Sequence, residues 1–348
     1  MKTVFVVDDN NTNLMSAKTA LDGTYRTFAL PSAARMFKLM EKITPDLILL
    51  DVDMPEMDGF EALEALKNDS KTSGIPVIFL TARSDVDTEV RGFEMGAVDF
   101  VNKPFSPPVL TRRIEMHIET DKLIKNSLAR VNKIHNAIIS VIADLVECRD
   151  ETTGGHIGRT QTYLEILIDE LFRTETYLDI ISEWDMSILL PSAQLHDVGK
   201  ITVSDIILNK PGKLTDEEFN TIRGHCCEGE RIIDSIVSKA GEDDFSRHAR
   251  LFAGTHHEKW DGSGYPRGTA GTDIPLEGRL MAIADVYDAL TSERPYKKAF
   301  THEEALKIMT AERGKHFEPL LTDLFINVAE EFAAVNKATK KYNLTYNS

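Results

Sequence analysis

Residues 46–51 read DLILLD. A short, continuous apolar run closed by an acid suits a strand buried on both faces, because a half-buried strand alternates polar and apolar side chains. The runs TVFVV (3–7) and PVIFL (76–80) have the same character, and weaker strands are expected near Tyr25–Ala29 and Val98–Val101. Helical stretches fall between them, at Thr12–Leu21, Ala33–Lys42, Gly59–Asn68 and Val86–Met95. Five strand–helix units in the first third of the chain predict an α/β doubly wound, five-stranded parallel sheet.

Ligands of such sheets bind beyond the carboxyl ends of the strands. The residues expected there are Asp8 and Asp9 after the first strand, Asp51 after the third, Thr81 after the fourth and Lys103 after the fifth. Three carboxylates brought together repel one another unless a hard cation holds them, and an oxygen donor set suits Mg²⁺. A hydroxyl and an ammonium then complete a site for a phosphoryl group. These residues lie in VVDDN, LLDVDMPEMDGFE, LTAR and DFVNKPF, and in order and spacing the stretch resembles a response-regulator receiver domain over residues 1 to 122. The resemblance implies that Asp51 accepts a phosphoryl group from a sensor histidine kinase. Asp8, Asp9, Asp51 and the backbone carbonyl of Asp53 would hold Mg²⁺. Thr81 and Lys103 would contact the phosphoryl oxygens, Phe100 would be the aromatic switch residue, and the Lys103–Pro104 bond would be cis.

The chain has 348 residues and a formal net charge of −16, so it is long enough for two domains and lacks a nucleic-acid footprint. No apolar run reaches the roughly 18 residues that a membrane span needs. Three cysteines without a CxxC pair read as reduced thiols, and a cytoplasmic location is expected.

Between Leu110 and Gly154 there is neither proline nor glycine. Steps of four and three connect Leu110, Ile114, His117, Asp121, Ile124, Leu128, Val131, His135, Ile138, Ile142 and Leu145. That average of 3.5 predicts a connecting helix over 107–145 with a coiled-coil seam that pairs two chains, its polar positions fixing register.

The second half repeats histidines and aspartates: His156, then His196–Asp197, His225, His256–His257 and Asp285. From His196 onward the gaps are each close to 30 residues, about the length of a helical hairpin, and TQTYLEILIDELF, GERIIDSIVSKA and ALKIMTAER read as helices. Successive ligand groups can therefore point into one all-α bundle. Seven groups exceed what one tetrahedral ion takes. Two ions roughly 3.5–4 Å apart fit them better, and such a pair is the usual clamp for hydrolysing phosphate esters. Imidazole and carboxylate without thiolate favour Fe or Mn, with Zn or Ni next. Cys226 and Cys227 read as small helix residues. His256 and His257 can serve two neighbouring ions only at a helix end, which the break DGSGYP supplies.

The motifs TGGHIGR, HDVGKITVSDIILNKPGKLT, HHEKWDGSGYP, IPLEGRLMAIADVYDALTSERPYKKA and GKHFEP resemble an HD-GYP domain of the HD superfamily, a cyclic di-GMP phosphodiesterase class, over 145–335. The resemblance implies that His156, His196, Asp197, His225, His256, His257 and Asp285 are metal ligands. Asp197 and Lys200 would be catalytic. Lys200, Gly264, Tyr265, Pro266, Arg294 and Lys297 would bind substrate. ETTGGH puts Thr152 where the family often has Glu, with Glu151 one residue early, which favours two ions over three and leaves the end product open between pGpG and GMP. A polar tail is expected over 336–348. The resulting expectation is a homodimeric, phosphorylation-regulated hydrolase of cyclic di-GMP. The alternatives are a hydrolase of pGpG or a mixed cyclic dinucleotide, and a non-catalytic binding module.

Overall fold

The computed structural model describes the backbone of residues 1–82, 86–149, 155–293 and 298–346, with side chains described as far as residue 338. Its first unit alternates β1 (Thr3–Val7), α1 (Asn11–Leu21), β2 (Arg26–Leu30), α2 (Ala33–Met40), β3 (Leu47–Asp51), α3 (Gly59–Asn68), β4 (Val77–Thr81), α4 (Val86–Glu94) and β5 (Asp99–Asn102). The strands form one parallel sheet in the order β2-β1-β3-β4-β5. Four of the five expected strands begin one residue later than their sequence suggests. Asp46 instead caps the neighbouring strand, its carboxylate accepting from the Thr3 N–H at 2.7 Å. Pro76 has no N–H to donate to the ladder and serves only as an acceptor, for Ile48.

Strand alternation divides the apolar side chains between two cores. Phe5, Val7, Ile48, Leu50, Val77 and Phe79 face one layer of helices. Val4, Val6, Leu47, Leu49, Ile78 and Leu80 face the other. The register pairs Val7 with Leu50 and Asp51 with Leu80. The carboxyl ends of β1, β3, β4 and β5 therefore share one rim, where Asp8, Asp51, Thr81 and Lys103 collect.

One uninterrupted helix, α5, runs 41 residues from Pro107 to Glu147. Compact packing divides the chain within it, between Asn132 and Lys133. The expected seam must be shortened at its start. Leu110 and Ile114 are fully buried against the sheet and belong to the core of the first unit. His117 Nε2 lies 3.1 Å from the Asp99 carboxylate. The first turns of the stripe are thus occupied within the chain itself. From Glu119 to Ile138 the helix has no buried residue, and Ile124, Leu128, Val131 and Ile138 are all more than half exposed. At its far end Ile139, Ala143 and Val146 are buried in the second unit, while Ile142 and Leu145 face outward.

The second unit is helical: α6 (His156–Arg173), α7 (Leu178–Ile181), α8 (Met186–Ala193), α9 (Asp205–Leu208), α10 (Asp216–Arg223), α11 (His225–Ala240), α12 (Asp244–Thr255), α13 (Leu276–Thr291), α14 (His302–Ala311), α15 (Pro319–Asn327) and α16 (Ala329–Tyr346). A tight 3₁₀ turn spans Val198–Thr202. The central core packs Tyr163, Leu167, Leu280, Tyr287, Phe325 and Phe332, with Tyr163 stacked on Phe332 at 4.4 Å. The stretch expected as a polar tail continues α16 as far as Tyr346, since nothing from 329 to 346 breaks a helix. No helix among the described residues is long and apolar enough to cross a membrane.

Candidate active site

At the sheet rim Lys103 Nζ lies 2.7 Å from both Asp8 Oδ2 and Asp51 Oδ1. Asp8, Asp9 and Asp51 can each turn a carboxylate oxygen toward a common point. Burial raises the Asp51 carboxyl above its usual range, and the neighbouring Asp8 charge adds to this, while Lys103 and the Asp53 N–H oppose it. A buried carboxylate beside another, with one ammonium between two acids, is a donor set that a hard divalent cation would stabilise. Thr81 is buried at the next strand end. Phe100 is turned inward, its ring 5.2 Å from Phe79 and 5.1 Å from Phe93. The Lys103–Pro104 bond is cis.

In the second unit the seven expected ligand residues converge as two groups. Asp197, His225, His256 and His257 can direct donor atoms to one point, and His156, His196 and Asp285 to another. The ligands come from helix ends more often than from helix interiors. His156 opens α6, His225 opens α11, and His256 caps α12 with His257 just beyond. His196 and Asp197 fill the turn between α8 and the 3₁₀ turn, and Asp285 alone lies within a helix, α13. The adjacent imidazoles thus sit at the helix end that their sequence requires.

Asp197 joins the groups. Its Oδ1 lies 3.3 Å from His225 Nε2 and 3.7 Å from His256 Nε2. Its Oδ2 lies 3.5 Å from His196 Nε2 and 2.7 Å from Lys200 Nζ. Burial would push this carboxyl up, but Lys200, His196 and His225 hold it well below the usual carboxylate range. Three imidazoles are fixed from behind. Nδ1 of His196, His225 and His256 donates to the carbonyls of Ala193 (2.9 Å), Ile222 (2.6 Å) and Phe252 (2.8 Å). A carbonyl only accepts, so the proton is on Nδ1 and the Nε2 lone pair faces the centre. Burial, with the neighbouring imidazoles, pushes His257 well below the usual histidine range, which keeps it in the neutral form that ligates. His196 Nε2 and Asp197 Oδ1 are buried without a hydrogen-bond partner among the described residues. Orphaned lone pairs cost free energy unless something fills the space between them. The two donor groups therefore fit divalent ions, which Asp197, His225, His256 and His257 and, separately, His156, His196 and Asp285 would hold.

Supporting residues emerge that the spacing of histidines does not announce. His156 Nδ1 lies 2.8 Å from Asp288 Oδ2, and Arg159 grips the same carboxylate through Nε at 2.6 Å and Nη2 at 2.9 Å. Glu147, the last residue of α5, accepts from the His156 N–H at 3.1 Å. The recurrent signal was one helical turn, with Arg159 three residues after His156 and Asp288 three after Asp285. Asp288→Asn keeps an oxygen acceptor but loses the charge, and is expected to weaken metal retention about 10–100-fold. Chelator competition on the purified protein checks this.

Two glycines of the second unit allow close approach of backbone to the ligand groups. A Cβ at Gly199 would collide with the His225 carbonyl, and one at Gly264 with the backbone of His257 to Lys259. The second contact folds the loop after α12 back on its ligands. Glu258 secures that loop, accepting from Arg267 N at 2.8 Å and Thr269 N at 3.0 Å. Tyr265 then packs 4.7 Å from His257, with Arg223 over its outer face. A cavity of about 320 Å³ opens on the centre, lined by His156, Asp197, Lys200, His225, His257 and Asp285, with Val146, Ile157, Leu208, Leu214 and Ile222 as an apolar wall. Gly264, Tyr265 and Pro266 do not line it, so Tyr265 meets the site through His257. Cys226 is buried with its thiol pushed up by burial, the protonated form that ligates poorly. Cys227 is exposed. Arg294 and Lys297, like Glu151 and Thr152, lie outside the described residues.

Residues 4–115 match the response regulator receiver domain and residues 156–321 match the HD domain. A probable cyclic di-GMP phosphodiesterase of Vibrio cholerae serotype O1 is 40% identical over 95% of this chain and 80% of its own length. The cyclic di-GMP phosphodiesterase response regulator RpfG of Xanthomonas campestris pv. campestris is 34% identical over 81% of this chain and 75% of its own. A 3'3'-cGAMP-specific phosphodiesterase 2 of Vibrio cholerae is 37% identical over 60% of this chain and 38% of its own. A parallel receiver sheet with its acidic rim, followed by a helical unit that gathers the HD pair with five further ligand-type residues, agrees with the first two likenesses, which span both units, and the chain belongs to the family of response regulators that carry a metal-dependent HD-domain cyclic di-GMP phosphodiesterase.

Proposed function

We propose that the protein hydrolyses cyclic di-GMP to pGpG at a centre of two transition-metal ions, under control of phosphorylation at Asp51. The observation that carries this reading is the Asp197 carboxylate, which turns one oxygen to each ligand group at the mouth of the cavity. When bound, such a pair of ions supplies charge neutralisation at the phosphate and a water nucleophile at neutral pH. Fe or Mn suits the imidazole–carboxylate set best, with Zn or Ni as the next choices, and Mg suits Asp8, Asp9, Asp51 and the Asp53 carbonyl.

Around that chemistry the protein supplies orientation. Lys200, held by Asp197 and facing the cavity, brings an ammonium to a non-bridging phosphate oxygen. Arg294 and Lys297 are assigned to the other phosphate contacts from their motif alone. Gly264 and Pro266 shape the loop that presses Tyr265 on His257, which makes this loop a support of the ligand set. The apolar wall excludes bulk water from the reacting phosphate and strengthens each of these contacts. Thr152 in place of glutamate favours accumulation of pGpG over GMP.

A sensor histidine kinase would phosphorylate Asp51, in the cytoplasm where the nucleotide substrate also resides. Twenty helical residues without a buried side chain, carrying Ile124, Leu128, Val131 and Ile138, are best covered by the same stretch of a second copy. The reading is therefore a parallel homodimer whose paired α5 helices answer to the receivers.

The likeness to a 3'3'-cGAMP-specific enzyme makes the base at one position the relevant contrast. The test is initial rates for cyclic di-GMP, 3'3'-cGAMP and pGpG with Mn²⁺- or Fe²⁺-loaded protein. Cyclic di-GMP is expected to have the highest kcat/KM, by about tenfold or more, since a site that pairs a guanine edge rejects the analogue lacking it. A higher value for either other nucleotide replaces the substrate assignment. No turnover of any of the three removes the catalytic reading.

A further inference from the structure

Two residues beyond the last residue of α5, Arg149 reaches back to the turn that carries Lys200. Its N–H still bonds the Val146 carbonyl, so its place is set by the final turn of the helix. Its guanidinium donates through Nη1 to the Ile201 carbonyl at 2.7 Å and through Nη2 to the Val203 carbonyl at 2.8 Å. Nε and Nη2 also donate to Asp205 Oδ1, at 3.0 and 2.7 Å, and Nη1 approaches the Lys200 carbonyl at 3.4 Å. In return Asn209 Nδ2 donates to the Arg149 carbonyl at 2.8 Å. A 3₁₀ turn leaves its last carbonyls without helical partners, and the planar five-donor fork of arginine is suited to spanning several of them. Lys200 lies in that turn, and its ammonium contacts Asp197 at 2.7 Å.

We propose that Arg149 is a positioning residue for hydrolysis, which clamps the carbonyls of residues 200, 201 and 203 to the end of α5 and so sets where Lys200 meets the scissile phosphate. This rests on the phosphodiesterase reading and extends it. Arg149 touches none of the metal-ligating residues, so it acts on placement and leaves metal binding alone. It also makes the Lys200 turn answer to any shift of the helix end. A lysine at this position keeps the charge but cannot span two carbonyls and a carboxylate at once. Asp205 is an exposed partner and contributes little.

The test uses full-length, metal-loaded protein in four forms: wild type, Arg149→Ala, Arg149→Lys and Asp205→Asn. Both Arg149 variants are expected to lose roughly tenfold to a hundredfold in kcat for cyclic di-GMP, the scale of a misplaced catalytic group. KM is expected to stay within about twofold, the signature of a contact that matters in the transition state. Metal content stays at the wild-type value, and Asp205→Asn keeps wild-type kcat. Millimolar guanidinium chloride, but not sodium chloride, restores part of the rate of Arg149→Ala. Hydrogen–deuterium exchange of amides 200–205 is faster in both Arg149 variants. Unchanged kcat or unchanged exchange in Arg149→Lys overturns the proposal, and that variant decides the matter if the alanine form does not fold. If the wild type cleaves no dinucleotide, the substrate reading fails by itself, while the exchange data still decide whether Arg149 holds the turn.

Discussion

Asp197→Ala is expected to abolish hydrolysis and metal retention together, with a fall in kcat of at least about a thousandfold, corresponding to the several kcal/mol that a metal centre contributes. The reason is geometric. His225 and His256 meet one oxygen of this carboxylate, and His196 and Lys200 meet the other, so its removal takes an anionic donor from both ligand groups at once. It also takes from the Lys200 ammonium a carboxylate at 2.7 Å and leaves His196 Nε2 with one fewer neighbour. Elemental analysis and initial rates on the same preparation check the result. The fold should survive, because the central core of Tyr163, Leu280, Phe325 and Phe332 does not include Asp197. Far-ultraviolet circular dichroism on that preparation confirms the helix content. Full activity in a metal-free Asp197→Ala protein would contradict the mechanism.

The second large effect concerns α5. Two residues inserted after Lys125 rotate everything beyond by about 200° relative to what precedes it. The insertion falls where the helix has no buried side chain, so Leu110, Ile114 and Ile118 keep their places in the first unit and Ile139, Ala143 and Val146 keep theirs in the second. Basal metal binding and basal hydrolysis are expected to persist. In the parent protein, beryllofluoride with Mg²⁺ is expected to occupy the Asp51 site and to change the rate of hydrolysis. That change should vanish in the inserted protein, as it should in Asp51→Ala. The coupling requires a two-state element that both sites bias, and in the proposed dimer the pairing of α5 would be that element. A response of parental size in the inserted protein reduces α5 to a tether.

The receiver half was legible almost residue by residue. Its chemistry lies at strand ends, and a buried parallel strand announces its end by the first charged residue, as Asp51 does after LILL. The convergence of the candidate ligand residues was legible for a different reason. Histidine and aspartate at hairpin spacing have few other uses, and the adjacent pair His256–His257 demanded a helix end, which α12 provides. Asp288, Arg159 and Glu147 were hidden because they meet His156 only once α6, α13 and the end of α5 pack together. Arg149 was hidden for the same reason, since its partners are backbone carbonyls with no residue type to read. The seam was overextended toward Leu110 because one apolar stripe serves two purposes. Its first turns bury against the sheet, and only from Glu119 onward does the stripe lie open. Tyr265, expected beside the pocket, meets the site by packing its tilted ring against His257, a distinction that depends on the fold of the loop around Gly264.

The most direct measurement is a titration of metal-stripped protein with Mn²⁺ or Fe²⁺ under anaerobic conditions, following cyclic di-GMP hydrolysis against bound ions per chain. Two ligand groups sharing Asp197 predict a rate that stays low at the first equivalent and reaches its plateau at about two ions in the second unit. A plateau at one ion, or hydrolysis by the stripped protein at the loaded rate, would contradict a two-ion centre built on Asp197.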